Sequence, residues 1–202
     1  VAIPENLCNL ALAKLVQKDR VNTLSAPVYP LERHFALIYP HYRDAELSAH
    51  PWLFAQARWK LAQLAETLEE AEQACNCTCS CPGMIYVYEK PVDMLKPRRD
   101  DCSDWIVLGD RLVSSIPGFL WVEGTKRQTE AAFDPLFSDV LVWRLARETA
   151  DWPGVTEGKR VEMAQGYRDA ITQAQRENAF MRPPRSVEGC DDMFSWLSAR
   201  AV

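Results

Sequence analysis

Apolar residues recur at helical spacing through both ends of the chain and alternate in its middle third. From Pro4 to about Lys18, one stripe consists of Ile3, Leu7, Leu10, Ala11 and Leu15, and a second of Cys8, Leu12 and Val16. A helix apolar on two sides packs against more than one neighbour. Lys14 interrupts the first stripe. A second helix is expected from Pro30 to about Ala49, because Leu31, Phe35, Ile38, Tyr42, Ala45 and Ala49 alternate steps of four and three. The register continues across Pro40, which predicts one kinked helix despite a cost of about 3 kcal/mol. His50-Pro51 then ends it.

The middle changes period. Ile85 to Tyr88, Trp105 to Leu108, Leu112 to Ser114 and Phe119 to Glu123 read as strands of a small antiparallel meander, with turns at Gly109-Asp110 and Pro117-Gly118. Trp52 to Leu64 reads as a helical turn followed by another strand. Between Glu66 and Gly83 an acidic stretch and a run of cysteines read as a long excursion from the sheet. Asp134-Pro135 supplies an N-cap and first helical residue for a helix to about Ala150. Its Leu136, Phe137, Val140, Leu141, Trp143 and Leu145 surround most of the circumference, which predicts a central position. Trp152-Pro153-Gly154 separates it from a fourth helix, Glu157 to about Asn178, whose Ala164, Tyr167, Ile171 and Ala174 lie opposite Glu162, Gln165, Asp169 and Arg176. The expected class is therefore α+β, with about four main helices and a small β-meander inserted between them. The helical part would comprise residues 1–64 and 133–180, the β insertion about 84–124 and the Cys-rich loop about 66–83. Together these make one domain, 1–182, followed by a C-terminal tail, 183–202.

Composition narrows the function classes. Charged residues or Gln interrupt every apolar run before the roughly 18 residues that a membrane span needs. The first residues lack the basic and apolar regions of a secretory signal, so folding is expected in a reducing cytosol. The 28 acids and 23 bases give a net charge of −5, which argues against a protein that wraps nucleic acid by neutralising phosphates.

Seven cysteines are more than 202 residues need for stability, and the odd number leaves one thiol free or bonded to another chain. Cys75, Cys77, Cys79 and Cys81 alternate with Asn76, Thr78 and Ser80. In extended chain, neighbours in that row stand about 6.6 Å apart, too far for a disulfide between them. Three readings stay open: bonds to another chain or to Cys8, Cys102 or Cys190; a metal site, although the spacing lacks Cys-x-x-Cys knuckles; and free thiols in an exposed loop. His34, His41 and His50 lie on or at the end of one helix without a matching carboxylate or cysteine, and read as surface or partly buried side chains. Phosphate-binding glycine loops, nucleophile elbows and His-Glu-x-x-His pairs are missing, so neither a catalytic residue nor a cofactor is expected. Trp52, Phe54 and Trp59 read as packing between helices and sheet. Beyond Arg182-Pro183-Pro184-Arg185, Met193, Phe194, Trp196 and Leu197 form an apolar patch that either docks into a partner or folds back.

Several segments carry a resemblance. Asn6-Leu7-Cys8-Asn9-Leu10-Ala11-Leu12-Ala13-Lys14-Leu15 followed by Val21-Asn22-Thr23-Leu24, Tyr39-Pro40-x-Tyr42-Arg43-Asp44-x-x-Leu47, and His50-Pro51-Trp52-x-Phe54-Ala55 come first. Tyr88-x-x-Pro91-x-Asp93-x-Leu95, Phe133-Asp134-Pro135-Leu136-Phe137, Arg144-Leu145-Ala146 and Tyr167-x-x-Ala170 follow in order. Over roughly residues 5–180 the chain resembles the head-tail adaptor (connector) family of tailed bacteriophages, the tail tubular protein A-like proteins. The resemblance implies a structural virion protein at the neck, assembled in the host cytoplasm. It implies a homo-oligomeric ring, likened to a dodecamer, that docks beneath the portal protein, extends the DNA channel without sequence-specific binding and offers a surface to a tail or collar protein.

The cysteine-bearing insertion and the Cys190-containing tail depart from the family pattern. A virion component folds in a reducing cell and persists outside it, so disulfides from some of Cys8, Cys75, Cys77, Cys79, Cys81, Cys102 and Cys190 to neighbouring subunits or a neighbouring ring are expected. An acidic, or at least not basic, lumen that lets phosphates slide is a further expectation, motivated by the −5 balance. The alternative class is a cytosolic assembly or regulatory module whose cysteine cluster holds a soft metal.

Overall fold

Proline opens three of the helices, where its missing N–H costs nothing and its fixed φ suits the first turn. These are α1 (Pro4–Lys14), α2 (Pro30–Ala49) and α4 (Pro135–Thr149). The Asp134 side chain caps α4 by accepting the Leu136 N–H at 2.8 Å. The computed structural model describes residues 3–75, 83–99, 104–151 and 155–181. Cys77, Cys79, Cys81, Cys102, Cys190, Arg182, Arg185, Met193, Phe194, Trp196 and Leu197 lie outside them, as does the side chain of Cys75.

Two further helices, α3 (Leu68–Cys75) and α5 (Glu157–Phe180), and six strands complete an α+β fold among the described residues. The strands are β1 (Gln56–Ala62), β2 (Tyr86–Glu89), β3 (Met94–Arg98), β4 (Trp105–Leu108), β5 (Arg111–Ser114) and β6 (Phe119–Lys126). They do not form one meander. Their orders are β1-β6-β3 and β2-β5-β4, so the fourth expected strand belongs to a different sheet from the first three. Strand β3, which hydropathy alone does not reveal, lies at a sheet edge, where Pro97 opposite Gly124 needs no N–H on its open side. The stretch expected as an excursion contains α3. Thr67 and Glu70 form its capping box: the Thr67 N–H donates to Glu70 Oε2 at 2.8 Å, and the Glu70 N–H to Thr67 Oγ1 at 3.3 Å.

Helix α1 stops four residues short of its expected end. The Val16 N–H reaches the Ala13 carbonyl at 3.1 Å and the Gln17 N–H the Leu12 carbonyl at 3.1 Å, a Schellman turn. Its left-handed position, φ 60°, is held by Val16, a β-branched residue where glycine is usual. The expected turn of residues Leu53–Ala55 followed by β1 is present, and α2 spans Pro40 without interruption.

The chain divides into two compact units. One, the helical unit, is built from residues 1–59, 91–98 and 122–179. Helix α4 is central in it: Phe137, Val140, Leu141, Leu145 and Ala146 are fully buried, and α1 and α2 both pack on this helix. Phe137 meets the rings of Trp52, Phe54 and Phe133 at centroid distances of 4.9–5.2 Å. Burying such side chains contributes about 1.5–3 kcal/mol each. Trp52 and Phe54 thus pack in the helical core, while Trp59 is half-buried on β1. The described residues of the other unit, 60–75, 83–90, 99, 104–121 and 180–181, contain α3 and the β2-β5-β4 sheet. Its small core joins Ala71 to Val87, Leu108 and Val113. Strands β4 and β5 form a two-residue hairpin at Gly109-Asp110, where Gly109 supplies φ 60°.

Candidate functional site

Polar side chains cluster where the helices of the helical unit meet. Glu46 on α2 is 3% exposed. Its Oε1 accepts the Tyr167 O–H of α5 at 2.9 Å and lies 3.6 Å from Arg144 Nε of α4. Arg144 also lies 3.4 Å from Glu148, which accepts the Tyr42 O–H at 2.9 Å and is bound by Arg147 at 2.6 Å. The guanidinium of Arg144 sits 4.8 Å from the Tyr42 ring centroid and 5.4 Å from that of Tyr167. Burial pushes the Glu46 carboxyl above its usual range, against the pull of Tyr167 and Arg144. Burial opposes ionisation of Glu148 as well, but hydrogen bonds from Arg147 and Tyr42 outweigh it and hold that carboxyl low. Two carboxylates share one arginine, and their environments drive them apart.

A second joint lies at Tyr39, whose O–H donates to Glu130 at 3.0 Å. Arg43 bridges Glu130 and Asp44, and Asp44 also binds Arg127 at 2.9 Å. A third holds the α1–α2 loop. Asn9 clasps Val21 through both backbone groups, at 2.8 and 2.9 Å, and Glu5 accepts the Leu24 N–H. Glu32, 1% exposed, accepts the N–H groups of Asn22, Val28 and Tyr29. Those bonds from Val28, Tyr29 and Asn22 hold its carboxyl below the usual range. Lys14 leaves its apolar stripe for Trp143: its Nζ stands 3.7 Å above that ring and 3.4 Å from Asp139.

Of the cysteines expected to cross-link, Cys8 is fully buried in the helical core with no disulfide. Burial, with the charge of Glu5, pushes its thiol well above the ordinary range. Bonding it to another chain would require α1 to leave the core, so within the single chain Cys8 is a packing residue. The histidines are not brought together: His34 is half-buried, with burial lowering its basicity, and His50 meets Asn178 of α5 at 2.9 Å. Among the described residues, no three of His, Cys, Asp and Glu converge as a metal-ligand set. None of the described helices is long and apolar enough to cross a membrane.

Hydropathy gives no sign of Glu32 and Glu46 as buried residues, since both count as polar interruptions of the α2 stripe. Their signal lies elsewhere: the resemblance already marks Asn9, Tyr39, Tyr42, Arg43, Asp44, Arg144 and Tyr167, and each of these makes a joint described above. Charge is distributed unevenly. The described residues of the helical unit carry sixteen acids and sixteen bases, whereas those of the sheet unit carry seven acids and four bases. Against models of protein families and against curated proteins, the chain gives no match.

Proposed function

We propose that this chain is a structural subunit of a phage neck, a ring-forming head-tail connector that docks beneath the portal, continues its DNA channel and presents a surface to the tail. The observation that carries this reading is the coincidence of motif and joint. Several residues that resemble the adaptor family, scattered from Asn9 to Tyr167, hold these joints: Tyr42, Arg144 and Tyr167 tie α2, α4 and α5 together, Tyr39 ties α2 to Glu130, and Asn9 ties α1 to the loop that follows it. A wall that must keep its shape under packaged DNA needs such rigid joints more than it needs a reactive centre. The balanced charge of the helical unit also suits a channel wall: with no basic excess it offers phosphates no counterion-releasing surface to grip. The net negative charge resides instead in the sheet unit and in the segments beyond the described residues.

Native mass spectrometry of the chain, with and without portal protein, tests this. A closed ring of about twelve subunits is expected by resemblance. A chain that stays monomeric even with portal present overturns the reading. Interchain disulfides through Cys75, Cys77, Cys79, Cys81, Cys102 or Cys190 belong to the same proposal. Non-reducing electrophoresis of assembled particles should show oligomers that Cys8→Ala leaves unchanged, and monomer alone would refute the cross-links.

A further inference from the structure

The last turn of α5 rests on the corner that ends α2, through one side chain. Asn178 is 8% exposed. Its amide oxygen accepts the Leu53 N–H at 2.9 Å, and its NH2 donates to the Pro51 carbonyl at 3.2 Å. These two backbone groups fix which end of the amide is oxygen, because an N–H only donates and a carbonyl only accepts. The same NH2 lies 2.9 Å from His50 Nε2. A donor at that distance needs an acceptor opposite, so Nε2 carries the lone pair and the ring proton sits on Nδ1. The imidazole also stands edge-on to Trp52, centroid to centroid 4.8 Å, and the Trp52 indole N–H donates to the Glu46 carbonyl at 2.9 Å.

We propose that this corner is a proton-sensitive latch, in which protonation of His50 at Nε2 sets donor against donor and releases the last turn of α5 from Pro51 and Leu53. Rotating the Asn178 amide does not relieve the clash. A flip would satisfy the imidazolium but set NH2 against the Leu53 N–H and oxygen against the Pro51 carbonyl, two bad contacts in place of one. Three hydrogen bonds therefore hang on one titration. Charged groups near it include Glu46, one turn before His50 on α2; Arg176 and Glu177, which flank Asn178 on the exposed side of α5; Lys96 on β3, whose Nζ donates to the Ser48 carbonyl at 3.3 Å; and Arg58, Arg98 and Glu123, which line a cleft with Pro51. The turn Leu53–Ala55 contributes none. The inference is independent of ring assembly.

Two measurements on the full-length chain test it. Nitrogen-15 spectra of the imidazole rings at pH 8 should show His50 protonated on Nδ1, and an Nε2–H tautomer overturns the latch. Hydrogen exchange, corrected for its intrinsic pH dependence, should lose about tenfold protection in residues 174–181 and 53–55 between pH 7.5 and 5.5, the population ratio expected one unit below the ordinary imidazole value near 6.5. His50→Gln, which keeps an acceptor facing Asn178, should make that protection independent of pH. An unchanged wild-type protection, an equal loss throughout α1 and α4, or the same response in H50Q would each refute the proposal. Should H50Q fail to fold, the tautomer and the wild-type profile decide.

Discussion

Gly166 lies in the middle of α5, where alanine ordinarily stabilises a helix by about 1 kcal/mol relative to glycine. Here the opposite sign is expected. A Cβ at this position would fall within 2.6 Å of three atoms of the Trp143 ring, whereas ordinary van der Waals contact begins near 3.4 Å. The ring would have to retreat by roughly 1 Å, a disturbance of the kind that costs about 1–3 kcal/mol in packed sites. It is not free to retreat. Lys14 covers one face at 3.7 Å and the indole N–H donates to Asp139 at 3.1 Å, contacts worth about 0.5–1 kcal/mol each. Offsetting the helix gain against these losses, Gly166→Ala should destabilise by about 1–2 kcal/mol, read as a lower urea midpoint at 222 nm. In a Trp143→Ala background the obstacle is gone, and the same substitution should stabilise by up to about 1 kcal/mol. Gly158→Ala, on the first turn of α5 with nothing within 4 Å of its Cβ, is the matched control and should be neutral or mildly stabilising. If G166A raises the midpoint in the wild-type background as it does without Trp143, the argument that this glycine exists to admit an indole fails.

Val16→Gly should stabilise the chain by about 1 kcal/mol, because the left-handed turn after α1 strains a β-branched residue and not a glycine; an unchanged or lower midpoint in chemical denaturation would contradict it. Glu32 has a depressed carboxyl pKa in the fold, so its contribution is present above the unfolded carboxylate value and is lost as pH falls through the folded one. Glu32→Gln should accordingly flatten the acid limb of stability below the unfolded carboxylate value, in urea midpoints collected along that limb. A limb as steep as the wild type's would show that another carboxylate governs it.

Three of the long helices were legible because apolar spacing and terminal signals agreed. Pro30, Asp134-Pro135 and Glu157 each begin a run whose helical spacing places it, although on α2 the buried side departs from the stripe: Ala45 and Ala49 are exposed, and Tyr39 and Leu47 are buried. Where the signals conflicted, the reading failed in specific ways. Helix α1 ends at a Schellman turn without its glycine, so nothing in the sequence marks Val16 as a stop. Helix α3 is short and acidic, and only the Thr67-x-x-Glu70 box announces it. Strand β3 contains Pro97, which argues against a strand unless the strand is at an edge. The division of the strands into two sheets depends on long-range pairing, such as Met94 with Lys126, that alternation cannot encode. The joints were visible only as motif residues of unknown purpose. Burial of Glu46 turns on Tyr167, 121 positions distant in sequence, which no local window contains, and burial of Glu32 turns on nearby backbone N–H groups that hydropathy does not read.

The packing of α1 against α4 has a further meaning when the chain is considered in time. The 120 residues between Lys14 and Pro135 must be made before the two helices can meet. At 5–20 residues per second, that interval is on the order of ten seconds. Throughout it the α1 side chains Leu7, Cys8, Ala11 and Leu12, later sealed in the core, lack the cover that α4 supplies. The thiol of Cys8, inert once folded, is then accessible. A reducing environment during synthesis would protect the newborn chain from an error its finished form cannot make.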